Sequence, residues 1–188
     1  MDQAVAQAVS GDEIRVPAGE WPAHSDASGK DLRIVGQEGA ILSSASGETT
    51  LWASGGSLEI DGLRFEGAGR ALYMGSGTLS LNQVVIDGGR GDWGAQINVT
   101  SSTLNVVDSS FLSGLSSQDG GSIAATASVL EIQGSLFDEN TADENGGAIA
   151  LYGGSTLTLA DTQFVVNEAA ANGGAIYLYE SSADLGNA

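Results

Sequence analysis

An alternation of apolar and polar residues recurs along the chain at intervals of about 25 residues. Its five copies contain the apolar pairs Leu58/Ile60, Leu79/Leu81, Leu104/Val106, Leu130/Ile132 and Leu157/Leu159. Such alternation is typical of a β-strand that buries one face. A period in this range predicts a stack of similar structural units.

Two further markers accompany each copy of this strand. A large apolar residue follows at a constant offset, and these residues are Phe65, Ile86, Phe111, Phe137 and Phe164. A second apolar segment comes later, usually after Gly, as in Ala148-Ile149 and Ala175-Ile176. The residues between the markers are rich in Gly, Asn, Asp and Ser, which favour tight turns and leave no room for a crossover helix.

One such unit cannot form a stable core alone. Burying about five apolar side chains returns ~10 kcal/mol, whereas ordering the unit costs ~1.5 kcal/mol per residue. Coiling the chain so that each strand pairs in parallel with its equivalent one turn later satisfies the backbone and joins the cores. We therefore predict an all-β fold, a right-handed parallel β-helix (solenoid) of about seven coils with a short N-terminal capping helix.

The chain is predicted to be a single β-helix domain over residues 1–188. Its parts are the N-terminal cap at 1–11, irregular first coils at 12–56 and regular coils at 57–188. The apolar face of the cap helix is predicted to contain Ala4, Val5, Ala8 and Val9. Within the first coils, residues 41–56 are the hardest to place.

The last coil is predicted to be incomplete. Aligning Leu185 with Leu159 places the next core aromatic beyond Ala188. Exposed strand edges and apolar side chains at such an end are open to pairing. We therefore expect this chain to be a fragment of a longer β-helix or to associate end to end.

The 188 residues include 24 acidic and six basic side chains, which gives a net charge of −18. This charge repels nucleic acid and anionic membrane surfaces, so we expect neither as a partner. The chain has no Cys, and it has no apolar run long enough to predict membrane insertion. Its first residues lack the basic and apolar regions of a signal peptide, so an exported protein would have lost its signal from this chain.

The last coils resemble a known family. Phe137-Asp138-Glu139-Asn140 and Phe164-Val165-Val166-Asn167, each followed by a Gly-Gly-Ala-Ile, resemble the repeats of chlamydial polymorphic outer membrane proteins. Similar repeats occur in large secreted bacterial β-helix proteins, and the opening of the chain resembles the first coils of pectate-lyase-like proteins. Earlier coils depart from the motif, since Phe111 is followed by Leu112-Ser113-Gly114 without the Asn. The resemblance implies a β-helix that is secreted or exposed at a bacterial cell surface, with a role in adhesion.

The motif residues of the two matching coils are predicted to be structural. Asn140 and Asn167 should stack at one turn, where each amide bonds its neighbour and the local backbone. Binding of a ligand by these residues is the alternative. The residues assigned to the ladder and turns are Phe137, Asn140, Gly146, Gly147, Phe164, Asn167, Gly173 and Gly174.

Aromatic residues define a possible ligand face. Trp93 lies in a Gly-rich loop and can stack on a sugar, and Tyr residues occupy outward positions of the second strand column. A flat face with exposed Tyr suits a protein or glycan partner, and ordinary surface aromatics are the alternative. The residues assigned to this face are Trp93, Tyr73, Tyr152, Tyr177 and Tyr179.

An acidic turn between residues 138 and 145 is a candidate calcium site. Carboxylate oxygens are the hard ligands that calcium prefers, although the spacing matches no defined calcium loop. A solvated acidic turn is the alternative, and no other cofactor is expected. The assigned ligands are Asp138, Glu139, Asp143 and Glu144.

No catalytic residue is assigned. Polysaccharide lyases and hydrolases of this fold need clustered carboxylates with a basic residue or His, and neither His24 nor Lys30 aligns with a column of acidic residues. The preferred function is a non-catalytic extracellular or cell-surface module for adhesion, which presents its faces to a protein or a glycan. The alternative is a carbohydrate-active enzyme or a glycan-binding β-helix.

Overall fold

The computed structural model describes residues 1–67 and 69–186, which form a short helix followed by strands arranged in coils. The helix is α1 (Asp2–Gln7). The first three coils contain β1 (Glu13–Val16), β2 (Gly19–Pro22), β3 (Ser25–Asp26), β4 (Asp31–Gly36), β5 (Ala40–Ser44), β6 (Thr49–Ser54), β7 (Ser57–Asp61), β8 (Arg64–Gly67) and β9 (Arg70–Gly75). The next four coils contain β10 (Thr78–Asn82), β11 (Val85–Gly88), β12 (Arg90–Trp93), β13 (Ile97–Thr100), β14 (Thr103–Val107), β15 (Ser110–Leu112), β16 (Leu115–Asp119), β17 (Ile123–Thr126), β18 (Val129–Gln133), β19 (Leu136–Asp138), β20 (Thr141–Ala142), β21 (Ile149–Tyr152), β22 (Thr156–Ala160), β23 (Gln163–Val165), β24 (Glu168–Ala169) and β25 (Ile176–Leu178). A further coil begins with β26 (Ser182–Asp184).

Equivalent strands of successive coils pair in parallel and form four sheets in the described residues. Sheet A has the order β1-β4-β7-β10-β14-β18-β22-β26, and sheet B has the order β2-β5-β8-β11-β15-β19-β23. Sheet C has the order β3-β6-β9-β13-β17-β21-β25, and sheet D, which begins in the fourth coil, has the order β12-β16-β20-β24. The prediction of a parallel β-helix with a short N-terminal helix is therefore confirmed, and the number of coils is close to the expected one.

Columns of apolar side chains from sheets A, B and C fill the interior. In sheet A, Leu58, Leu79, Leu104, Leu130 and Leu157 lie in register. In sheet B, the column contains Phe65, Ile86, Phe111, Phe137 and Phe164. In sheet C, it contains Leu72, Ile97, Ile123, Ile149 and Ile176. A fully buried side chain of this size contributes about 2 kcal/mol, so each coil is stabilised by the coils on either side of it.

The segment 41–56, which the sequence pattern does not assign, belongs to the regular stack. It contains most of β5 and all of β6. Leu42 pairs in register with Phe65, and Leu51 pairs with Leu72. Both Leu residues are 0% exposed. The segment therefore contributes one residue to each of two core columns, although it lacks the Gly-rich marker of the later coils.

Helix α1 covers the first coil with a smaller apolar face than the sequence predicts. Val5 and Ala8 are buried, whereas Ala4 is exposed and Val9 is 65% exposed. The assignment of Ala4 and Val9 to the buried face is wrong. The helix ends at Gln7 and the backbone of Ala8 is extended, so the chain leaves the helical path before Val9.

Two charged side chains fasten α1 to the coils. Asp2 Oδ1 accepts hydrogen bonds from the backbone N–H of His24 (2.9 Å) and from Ser25 Oγ (2.6 Å). Lys30 Nζ donates to the carbonyl oxygens of Val5 (2.7 Å) and Ala6 (3.2 Å) near the C-terminal end of the helix. The hydrogen bond from Ser25 is the main reason why the pKa of Asp2 lies below its ordinary value of 3.8. Directed polar contacts therefore hold the cap together with the buried Val5.

The C-terminal end of the stack exposes part of the core columns. Phe164 and Ile176 are half-buried, whereas their equivalents Phe137 and Ile149 are 0% exposed. An open cavity of about 450 Å³ at this end is lined by Leu159, Phe164, Ile176 and Leu185, among others. End-to-end association through this surface stays a prediction.

Replacing Asp2 with Ala should lower the free energy of unfolding by about 1 kcal/mol, because the N–H of His24 and the hydroxyl of Ser25 lose their acceptor. The pKa of Asp2 is depressed in the folded state, so its contribution is present above the ordinary pKa of 3.8 and is lost as the pH falls through the folded-state value. The difference between wild type and Asp2→Ala should therefore disappear at strongly acidic pH.

Urea unfolding of both proteins at neutral and acidic pH measures this difference. Gln3→Ala is the matched control, because Gln3 is an exposed residue of the same helix. A destabilisation by Asp2→Ala that is the same at both pH values would contradict the ionic role of Asp2.

Candidate ligand-binding surface

The Asn pair of the repeat lies at the corner between sheets B and D. Asn140 is 0% exposed, and its Nδ2 donates to the carbonyl oxygen of Phe111 and to Asn167 Oδ1, both at 3.0 Å. Its Oδ1 accepts a hydrogen bond from the backbone N–H of Gly114 at 2.9 Å. The Nδ2 of Asn167 donates in turn to the carbonyl oxygen of Phe137 at 2.9 Å. The Asn140 amide therefore links three coils, and its hydrogen-bonding groups are engaged inside the stack.

The turns before sheet C place Gly at two successive positions. Gly146 and Gly173 have φ values of 66° and 64°, in the left-handed region that other residues rarely adopt. A Cβ atom on Gly147 would lie within 3.0 Å of the carbonyl oxygen of Gly174 in the next coil. These Gly residues therefore serve the close approach of one coil to the next.

The residue before each of these turns belongs to a second column, at the outer edge of the stack. Its members are Trp93, Asp119, Asn145 and Asn172. Asp119 Oδ1 accepts hydrogen bonds from the backbone N–H (2.8 Å) and Nδ2 (2.9 Å) of Asn145. The Nδ2 of Asn172 donates to Asn145 Oδ1 at 2.8 Å. A polar ladder thus runs from a buried carboxylate to the exposed amide of Asn172.

The buried carboxylate of Asp119 also fixes Tyr152. Asp119 is 3% exposed, and its Oδ2 accepts a hydrogen bond from the Tyr152 hydroxyl at 2.8 Å. Burial, together with this hydrogen bond, raises the pKa of Tyr152 above its ordinary value of 10.0, so the hydroxyl remains a donor. Because a buried carboxylate is costly without its donors, the contact holds the Tyr152 ring in one place.

Tyr152 lies at the centre of a cluster of four aromatic residues, which we call the aromatic surface: Trp93, Tyr152, Tyr177 and Tyr179. The centroid of the Tyr152 ring lies 5.2 Å from that of Trp93, 5.9 Å from that of Tyr177 and 6.1 Å from that of Tyr179. Trp93 is 36% exposed and Tyr179 is 53% exposed. The structure therefore brings together all residues of the predicted ligand face except Tyr73.

Trp93 is held at its backbone by two neighbours. Its carbonyl oxygen accepts hydrogen bonds from Arg70 Nη2 at 2.9 Å and from Asn98 Nδ2 at 3.0 Å. Arg70 Nε donates to the carbonyl oxygen of Gly94 at 2.9 Å, and burial lowers the pKa of this guanidinium. The sequence predicts a loop here, but Trp93 is the last residue of strand β12. Its position is therefore fixed by the sheet as well as by these side chains.

Tyr73 lies apart from the aromatic surface. It belongs to β9 in the third coil, in register with Trp52 on one side and Asn98 on the other. Its hydroxyl lies near Gly75 of the same strand. Trp52, which sequence analysis does not assign to the ligand face, is its aromatic neighbour in the column.

On the outward face of sheet C, the two positions between Asn98 and Tyr177 are covered by turns. Ala124 and Ala150 occupy them and are 2% and 0% exposed, because the Gly120 and Gly146 turns pack against this side of the strands. The aromatic surface therefore does not extend as one flat face along sheet C. It is confined to the fourth to seventh coils, where large side chains reach beyond the turns.

Two residues that hold the aromatic surface are not predicted from the sequence pattern. They are Asp119 and Arg70. A signal for Asp119 is present in the sequence, because the residue before each Gly turn forms one column that begins at Trp93. Arg70 carries no comparable signal. Its hydrogen bonds reach from the third coil to the backbone of the fourth, and they depend on where sheet D begins.

The residues assigned to calcium lie on both sides of β20. Asp138 ends β19 and Glu139 occupies the following turn, while Asp143 and Glu144 come after β20. Within residues 1–67 and 69–186, no group of three or more His, Cys, Asp or Glu side chains is placed to hold a metal ion. Calcium binding by this turn stays a prediction.

A second cleft lies beside the N-terminal cap. Its volume is about 510 Å³, and its lining includes Asp2, Glu20, His24 and Glu48. The fold thus places His24 near carboxylates, which the sequence columns do not predict. Asp2 already accepts the N–H of His24, and His24 Nδ1 lies 2.9 Å from the carbonyl oxygen of Thr49. These contacts join the cap to the first two coils.

A family model, that of the Chlamydia polymorphic membrane protein repeat, matches residues 134–152. This segment spans β19 to β21 and contains Phe137, Asn140 and Gly146. No curated protein and no solved structure matches the chain. Within the part of the chain that the structure describes, no helix has the length and apolar character needed to cross a membrane. The chain is therefore a β-helix repeat protein that resembles the polymorphic membrane proteins, and the match favours a surface-associated module.

Replacing Asn140 with Ala should lower the free energy of unfolding by about 2 to 3 kcal/mol, because the buried N–H of Gly114 and carbonyl oxygen of Phe111 lose their partner. Asn105→Ala is the matched control, because the Asn105 amide makes one longer hydrogen bond, 3.3 Å to Ser80 Oγ, on a half-buried outer face. Urea unfolding should show a change of about 0.5 kcal/mol or less for this control. Equal losses of unfolding free energy in the two variants would mean that the hydrogen bonds of Asn140 contribute no more to stability than that of Asn105.

Calcium should raise the melting temperature relative to a chelator if the folded turn binds the ion. The double variant Asp143→Asn, Glu144→Gln should abolish that rise. Asp161→Asn, which removes an exposed carboxylate from another turn, should leave it intact. A melting temperature of the wild type that is the same with millimolar calcium and with chelator would favour the solvated acidic turn.

Proposed function

We propose that this chain is a non-catalytic, surface-associated β-helix module that presents a ligand-binding face for adhesion. The observation that carries the proposal is the aromatic surface, in which Asp119 holds the side chain of Tyr152 and in which Arg70 and Asn98 hold the backbone of Trp93. The β-helix provides the rigid support. The repeat match at residues 134–152 supports a location at the cell surface.

Ordering of side chains before the ligand arrives favours binding. Association costs about 0.5 to 1.5 kcal/mol for each long side chain that becomes immobile. The Tyr152 side chain is already held by Asp119 in the free protein, and the Trp93 ring packs edge-on against the Tyr152 ring, so this cost is reduced. Tyr and Trp are also the residues that most often dominate binding energy at interfaces.

The position of the aromatic surface along the stack also suits its presentation to a partner. Each coil adds about 4.8 Å along the axis of a parallel β-helix. The aromatic surface lies on the fourth to seventh coils, away from the N-terminal cap. A partner approaching the side of the stack therefore meets the aromatic rings without displacing the cap or the core.

A carbohydrate-active enzyme is the alternative, and the cleft beside the cap is the observation that favours it. Glu20, His24 and Glu48 in that cleft are groups of the type that general acid–base catalysis uses. Asp2 is committed to the cap, so it does not supply a free carboxylate there. Turnover that depends on His24 would favour this alternative.

The purified chain should bind at least one component of an array that combines glycans with extracellular proteins. Trp93→Ala should weaken that binding roughly tenfold, because an ordered aromatic anchor is lost. Trp21→Ala is the matched control, since Trp21 is 40% exposed in the first coil and Trp93 is 36% exposed.

The same samples are incubated with acidic and neutral polysaccharides and assayed for new reducing ends and unsaturated products. We expect no turnover. Reproducible turnover that is lost in His24→Ala would replace the proposed function with the enzymatic one. Array binding that is unaffected by Trp93→Ala would remove the aromatic surface from the proposal.

A further inference from the structure

We propose that the aromatic surface binds a soluble, uncharged glycan. This inference rests on the proposed function and names the class of ligand for the same surface. It follows from the chemistry of the groups that border the four rings, from the charge around them and from the angles between their planes.

The side chains of this surface match the two chemical faces of a sugar. Pyranose rings have C–H faces that pack on aromatic rings, and Trp93 and Tyr179 are exposed rings of this kind. The rims of sugars carry hydroxyls that both donate and accept hydrogen bonds. Amide side chains can do the same: the half-buried Asn98 contacts Trp93, and the exposed Asn172 ends the polar ladder that begins at Asp119, the residue that holds Tyr152.

A protein partner fits this surface less well. Standard protein interfaces bury about 800 Å² on each partner around a packed apolar centre. Here the adjoining Ala124 and Ala150 are buried beneath turns. The residues after Tyr152 and Tyr179 are the exposed Gly153 and Glu180, which do not extend an apolar patch. A narrow group of rings with amides at its border suits one or a few sugar units.

The charge of this region selects against anionic glycans. The chain carries a net charge of −18, and the exposed Glu180 follows Tyr179 directly. Arg70, the basic residue that contacts Trp93, directs Nε and Nη2 to carbonyl oxygens of the protein. A sulfated or uronic-acid glycan would therefore meet repulsion here. Binding of a neutral glycan should also be insensitive to salt, because no ion pair is formed.

The angles between the rings select against a flat, crystalline polysaccharide. The plane of Tyr152 is inclined by 61° to Trp93, by 53° to Tyr177 and by 41° to Tyr179. A crystalline polymer surface needs coplanar rings for simultaneous stacking. A soluble chain or branch can turn between rings of different orientation, so it fits this arrangement better.

The test is isothermal titration calorimetry of the full chain with four soluble neutral probes: galactomannan, xyloglucan, mixed-linkage β-glucan and dextran. Polygalacturonate and heparin are the anionic comparisons, and sedimentation with microcrystalline cellulose tests the flat surface. We expect binding to at least one neutral probe, with an affinity that is unchanged by salt. Trp93→Ala and Tyr179→Ala should each weaken it roughly tenfold, and Trp21→Ala should leave it unchanged.

Circular dichroism and thermal melting show whether each variant is folded, and Tyr179→Ala serves if Trp93→Ala is not, because Tyr179 is 53% exposed. Binding to none of the neutral probes would overturn the glycan inference, as would a preference for anionic probes or for cellulose. Equal affinities of wild type and both aromatic variants would also overturn it. If the array yields a protein ligand that requires Trp93 while the neutral probes fail, the proposed function stands and the glycan inference falls.

Discussion

Parallel hydrogen bonding between equivalent strands of neighbouring coils is the interaction on which the other features of this protein depend. A strand such as β10 bonds β7 on one side and β14 on the other, so Leu79 lies between Leu58 and Leu104. The backbone is satisfied only when coils are kept in this register. Register in turn places each side chain next to the side chains at the same position of the neighbouring coils. The side chains at one position therefore form a column along the stack. The apolar columns form the core for this reason.

The same register shapes the polar parts of the stack. Inside, Asn140 and Asn167 can bond each other and the backbone because they occupy the same corner. Outside, equivalent acidic residues would repel one another in a chain of net charge −18. Arg33, in the second coil, counters this by contacting Glu13 of the first coil and Glu59 and Asp61 of the third. Exposed ion pairs of this kind add little to stability, so their main effect is to reduce repulsion along the column.

The aromatic surface arises at a position where equivalent residues are not alike. The outer column before the Gly turns contains an aromatic residue, a carboxylate and two amides, namely Trp93, Asp119, Asn145 and Asn172. The turn geometry needs Gly at the following position but places no demand on this one. Side chains at this position can therefore differ from coil to coil. In the fifth coil the side chain is Asp119, whose buried carboxylate accepts a hydrogen bond from Tyr152. A ligand face can therefore be built at the edge of the stack without disturbing the pairing of the strands.

In the regular coils, the sequence by itself determined the period, the core columns and the Gly turns, because each of these depends on local alternation or on local backbone conformation that recurs from coil to coil. Only the tertiary structure decided which outward residues meet. The Tyr152 hydroxyl reaches an Asp119 that lies 33 residues earlier, so this contact joins two different columns. Likewise, Tyr73 lies apart from the aromatic surface, and Val9 does not join the buried face of the cap. Such contacts depend on the angle of each corner and on the point where a strand or helix ends, and a repeat of residue types along the chain carries no information about either.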